Sequence, residues 1–225
     1  MKTLTYVPVI HTSADLGSLA REVTKRGIAA LGEEFWMRHK TTVECFWDII
    51  SDYFESQEAS GAKIYQDGMV AEGEIGQKII EEGLNLGSRN YELVDSLLKR
   101  GAILVKTEDF NLVKEERDRL LAITEAKSIS KKIAAFIKYK LLKNKLLNKR
   151  DRFIADRINA TLNQGEKGIL FIGAYHNVKD WLSRDILVVT LKDPEKVKEY
   201  QSLLPFYRKN KERFEELAKY LTSQA

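Results

Sequence analysis

Residues 168–178 read GILFIGAYHNV. Four consecutive apolar side chains, Ile169 to Ile172, stop at Gly173. Three residues later stands His176, one of only three histidines in the chain. A short unbroken apolar run of this kind is the pattern of a strand covered on both faces, as in a parallel sheet. A second stretch, TYVPVIHTSADLGS at 5–18, ends its apolar run at His11.

Working outward from these two, five segments read as strands: 3–10, 62–67, 102–107, 168–173 and 185–191. Helical periodicity fills the gaps between the first four, at 14–29, 33–56, 74–83, 88–100 and 111–126. A longer helical stretch follows at about 127–164, with a break expected near Asn148. Gly101 and Gly165 stand where helix C-caps belong, and Ser88 where an N-cap belongs. Strands alternating with helices predict an α/β fold: a mainly parallel sheet of about 4–5 strands with helices on both faces. The expected division is an α/β domain over 1–192, with a helical insertion at about 111–164. A C-terminal helical extension over 193–225 would be two helices parted near Pro205.

Composition narrows the classes. At 225 residues, 44% hydrophobic and 31% charged, the chain is an ordinary globular sequence. No apolar run approaches the ~20 residues of a membrane helix. The N-terminus lacks the pattern of a signal peptide. The single Cys45 rules out an internal disulfide and a cysteine-cluster metal site, which predicts a cytoplasmic setting. The net charge of +4 is unevenly spread: 126–150 holds nine bases and no acid, interleaved with apolar residues at helical spacing. We read this segment first as the solvated face of a packed helix. Contact with nucleic acid or an acidic membrane surface through 126–150 is the alternative.

In parallel sheets, ligands gather beyond the carboxyl ends of the strands, where loops and helix N-termini converge. The residues there are His11 after the first strand, Asp67 and then Glu72 after the second, Glu108 and Asp109 after the third, and His176 after the fourth. A neutral imidazole beside a carboxylate can take a proton from water. Two histidines and a carboxylate can also hold a divalent metal. His11, His176, Glu108 and Asp67 are therefore the catalytic candidates, and His11 and His176 the candidate metal ligands. Arg89 and Arg152, with Asp109 and Glu72, are the candidates for holding a substrate; arginine suits a carboxylate or phosphate. Arg150 and Arg157, seven residues apart, share a helix face. Ser13 and Thr12 lie beside His11, but no G-x-S-x-G elbow supports a serine nucleophile. Inside the 33–56 helix, His39 reads as a helix-surface or packing residue and Cys45 as a packing residue.

The segments PVIHTSADLGSL, KIYQDGM, GSRNYELVDSLLKRGAILVKTED, RDRFIADRINATL and GILFIGAYHNV together resemble a group of uncharacterised prokaryotic cytosolic proteins. That group is distantly similar to the TraB/Tiki, ChaN and erythromycin-esterase-like superfamily. The resemblance covers roughly residues 4–178. It implies His11 as the first-strand histidine, Gly173 and His176 as the glycine-x-x-histidine motif, Asp67 and Glu108 as the strand-end acids, and Arg152 as the arginine of the preceding helix. Pro8 stands where the Tiki-like branch carries a glycine, which weighs against its metal-peptidase chemistry. The expectation is a hydrolase of an ester or amide bond, with or without a divalent metal. The alternative is a non-catalytic pocket for a metal, haem or a small anionic ligand, since fold similarity does not fix function.

Overall fold

The computed structural model describes residues 1–12, 15 and 20–224, without the side chains of residues 20–23. Ser13, and residues 14 and 16–19 of the helix expected at 14–29, lie outside the described residues.

All five expected strands form: β1 (Lys2–Val9), β2 (Lys63–Gln66), β3 (Ile103–Val105), β4 (Lys167–Gly173) and β5 (Ile186–Thr190). They make one fully parallel sheet in the order β3-β2-β4-β1-β5. The unbroken apolar runs are explained by alternation between two covered faces. Val7, Val9, Ile169 and Phe171 enter one core cluster, while Leu4, Tyr6, Leu170 and Ile172 enter the other.

Eight helices accompany the sheet among the described residues: α1 (Ala20–Leu31), α2 (Glu33–Glu55), α3 (Gly73–Asn85), α4 (Arg89–Lys99), α5 (Phe110–Thr124), α6 (Ile129–Thr161), α7 (Pro194–Leu203) and α8 (Lys211–Leu221). Buried residues of α2, α3, α4, α7 and α8 form the first core cluster. Ile154, Ala155 and Ile158 of α6 cover the opposite face. Connections running from β1 through β2 to β3 and those returning through β4 to β5 thus use opposite faces, as crossovers of one hand require.

Three details bear on the expectations. First, α6 runs unbroken for 33 residues, about 50 Å at the helical rise. Asn148 does not interrupt it, because asparagine costs a helix only tenths of a kcal/mol and no glycine or proline lies between 129 and 161. Second, the C-terminal helices are built into the main core. Val197, Tyr200, Phe214, Leu217 and Leu221 are buried there with Val43 and Trp47 of α2. A short 3-10 segment, Leu204–Lys209, carries Pro205 between them. Third, the end of α4 is closed by a glycine. Gly101, at φ 92°, donates to the carbonyl of Leu98 while Ala102 donates to that of Leu97, the paired bonds of a Schellman cap.

Candidate active site

The sheet register aligns the carboxyl ends of its three inner strands. Val9 of β1 lies opposite Gly173 of β4, and Gln66 of β2 lies opposite Phe171. The residues that follow, His11, Asp67 and His176, therefore emerge along one edge. The loop after β3 joins them, since Thr107 and Glu108 both donate their backbone N–H to the carbonyl of Met69, each at 2.9 Å. Glu108 is thereby fixed beside Asp67.

Arg150 of α6 organises the carboxylates. Its Nε donates to Glu108 Oε2 at 3.0 Å and its Nη2 to Asp67 Oδ1 at 2.7 Å. Shorter bonds reach Glu108 Oε1 from Nη2 and Glu116 from Nη1. Backbone donors fill the remaining positions: Gly68 N to Glu108 Oε1 at 3.3 Å and Gly173 N to Asp67 Oδ2 at 3.1 Å. All four carboxylate oxygens of Asp67 and Glu108 thus accept a hydrogen bond. Burial of charge is tolerated only with this kind of complete pairing.

His176 is held from both sides. A turn closed by His176 N donating to Gly173 O brings its ring back over the strand end. Nδ1 sits 2.5 Å from Asp151 Oδ1, and Asp151 Oδ2 accepts from Asn177 N at 2.9 Å. Nε2 lies 3.6 Å from Asp67 Oδ2. Burial disfavours the imidazolium, but the Asp67 charge and the Asp151 bond outweigh it and hold the pKa above the usual histidine range. Burial likewise works against ionised Asp67, yet His176, Arg150 and His11 together hold it below the usual carboxylate range. For Glu108 burial prevails over the Arg150 hydrogen bond, and its pKa is raised.

His11 is the exposed member of the set. Its loop is tied down on both sides. Trp47 Nε1 donates to Ile10 O at 3.1 Å, and Asp15 accepts from Thr12 N and Oγ1 while receiving a short bond from Ser88. The expected N-cap Ser88 is fully buried and also accepts from Tyr91 N. The meeting point of the site is the open side of Gly173. The position a Cβ would take there lies 3.1 Å from Asp67 Oδ2, 3.5 Å from His176 Cδ2 and 3.7 Å from His11 Nε2.

His11 also lines a cavity of about 530 Å³. Its apolar wall is Ile10, Trp36, Val43, Leu86 and Leu204, and its polar groups include Lys40, Arg89 and Gln201. Gln201 Oε1 is buried without a hydrogen-bond partner. His39, expected to be a helix-surface or packing residue, lines this cavity as well and meets the Tyr200 hydroxyl at 2.9 Å through Nδ1. Burial lowers its pKa to about 4.

The other expected site residues fall elsewhere. Arg152 stacks over the Trp181 ring at 4.1 Å, away from the carboxylates. Arg150 holds the position expected of it, because successive helical residues diverge by about 100°. Asp109 caps α5, accepting from Asn111 N and Leu112 N. Glu72 accepts from Lys106 N and pairs with Arg157 at 3.7 Å. Arg89 pairs with Asp48 and Glu92 at the cavity rim. Cys45 is a half-buried free thiol.

Arg150 and Asp151 carried a readable signal. Arg150 precedes Ile154 and Ile158 by four and eight residues, and Asp151 precedes Ala155 and Ile158 by four and seven. These spacings put both charges on the helix face that enters the core.

For metal binding, the described residues bring together Asp67, Glu108 and His176, with ligand atoms within 4.8 Å of one another. His11 is not in that group. Both Glu108 oxygens and Asp67 Oδ1 already accept from the Arg150 guanidinium, which supplies the positive charge there, while Asp67 Oδ2 faces Gly173 N and His176. An ion held by the full set would have to displace Arg150 from Glu108, so these three residues do not fit a resident ion alongside Arg150.

Comparison with protein-family models, curated proteins and solved structures finds no match for this chain.

Proposed function

We propose that the protein is a hydrolase acting on an ester or amide bond from a histidine–carboxylate site at the carboxyl edge of its sheet. The observation that carries this reading is the convergence of His11, Asp67 and His176 on the open side of Gly173, beside a cavity that reaches His11.

In this reading His11 takes a proton from water as the water oxygen attacks the carbonyl carbon. Asp67 stabilises the imidazolium that forms through its charge, without a hydrogen bond to it among the described residues. His176, cationic between Asp67 and Asp151, offers positive charge to the developing oxyanion. As the tetrahedral intermediate collapses, His11 returns the proton to the leaving oxygen or nitrogen. The apolar wall suits a hydrocarbon portion of the substrate. Lys40 and Arg89 suit an anionic group, and the unpartnered Gln201 Oε1 suits a hydroxyl or N–H. The resemblance to the erythromycin-esterase-like superfamily agrees with hydrolysis, and a chain with one cysteine and no disulfide agrees with the cytoplasm.

Turnover of p-nitrophenyl esters of graded acyl length, with and without a chelator, tests the reading. Hydrolysis that survives chelation and falls by about 10²–10⁴-fold in His11→Ala is the expected result. Loss on chelation would move the role of the base to a metal-bound water. Gln201 also favours a second reading, a pocket that holds such a ligand without turnover. Binding of the uncleaved ester, with no product formed, would support it.

A further inference from the structure

The N-terminal half of α6 carries an apolar stripe that nothing covers. Ile129, Ile133, Phe136, Ile137 and Leu141 are 52–80% exposed. Their spacing of four, seven, eight and twelve residues puts them on one face, over about 18 Å of helix. Ala135, Tyr139, Leu142 and Leu146, on the other side of the helix, are the residues turned toward the protein. Single exposed apolar side chains are ordinary, but a contiguous row of five marks an interaction surface.

The flanks say what kind of surface is met. Lys145 stands one turn from Leu141 at one border of the stripe, Lys132 and Lys143 lie along the other, and Lys140 lies within it. Lys140 and Lys145 are exposed, Lys132 and Lys143 are half-buried, and none of the four forms an ion pair among the described residues. No acid occurs between 126 and 150 to offset them. A helix with large apolar side chains on one face and lysines beside them lies in the plane of a lipid interface. The lysine stems can bury along the apolar face while their ammonium groups reach the headgroups. No described helix is long and apolar enough to cross a membrane, so this contact would be along the surface.

We propose that the 129–145 face of α6 docks on an anionic lipid surface. Charge decides against the other occupants. Two copies paired through the stripe would bring both Lys140 side chains and their neighbours into one interface, where like charges repel. A nucleic acid backbone would engage the lysines but leave five large apolar side chains wet.

Flotation of the full chain with phosphatidylcholine vesicles, with and without phosphatidylglycerol, provides the test. Binding to the anionic vesicles only, weakening as salt is raised, is expected. Each lysine changed in Lys140→Gln/Lys145→Gln should weaken it by about five-fold, and Ile133→Ser/Leu141→Ser should abolish it at an unchanged Tm. Equal binding to neutral vesicles, or none to either, would overturn the proposal. So would a dimer in sedimentation that dissociates in the serine variant, or duplex DNA binding that the serine variant retains.

Discussion

Arg150 is the residue on which the buried charges depend. It is the only guanidinium bonded to Asp67, Glu108 and Glu116 among the described residues. Arg150→Ala should destabilise the fold by about 3–5 kcal/mol, the cost of leaving carboxylates buried and unpaired, measured by urea unfolding. Lowering the pH should recover part of the loss in the variant, because protonation removes the unpaired charge. Gly173 gives a sharper test of the site. Its substitution by alanine puts a methyl 3.1 Å from Asp67 Oδ2, so the carboxylate must shift. Gly173→Ala should keep most of the stability and lose about 10²-fold in turnover, the effect of a small misplacement of a reacting group. His39 adds a pH signature. Its native pKa of about 4 lies below the unfolded value, so the unfolded chain binds more protons between pH 4 and about 6.5. Stability from this group is complete above pH 6.5 and is lost as pH falls toward 4. His39→Gln should flatten the acid side of a plot of Tm against pH. His176 acts in the opposite sense. Its raised pKa contributes stability below pH ~6.5 that is lost as pH rises through the native value.

At the scale of elements, the strands and most helix ends were legible because local chemistry and packing agree. GILFIG is apolar on both faces because β4 is the middle strand of the sheet. Gly101 ends α4 because its φ of 92° suits glycine and strains other residues. Gly101→Ala should therefore cost about 1–2 kcal/mol in thermal or urea unfolding, the penalty of the left-handed region for a side chain with a Cβ. Helix α6 was harder to read. Its first half has an apolar periodicity that faces solvent, and its second half has one that faces the sheet. The change of face falls near Asn148, where a break was expected and the helix instead runs on. The same change made the inward direction of Asp151 harder to read. Its direction and that of Arg150 follow from Ile154, Ala155 and Ile158, not from the exposed stripe before them. Arg152, next in sequence, points to Trp181. Pairings between distant segments, such as Asp151 with His176, had no local signal.

For the whole molecule, the strand order brings together residues separated by up to 165 positions in sequence, from His11 to His176, at one edge. The C-terminal helices close the main core and supply Gln201 and Leu204 to the cavity. The candidate-site edge and the α6 stripe are joined by one continuous helix, whose Lys143 sits over the Tyr175 ring next to His176. The most direct test of the account is a double-mutant cycle in kcat/KM between His11→Ala and Asp67→Asn, using the ester turned over best. Groups acting on one proton should not contribute independently. The double variant should be no slower than the slower single variant, with each single variant down by about 10²-fold or more. Losses that multiply, or a wild type that turns over no ester or amide, would contradict a shared His11–Asp67 site.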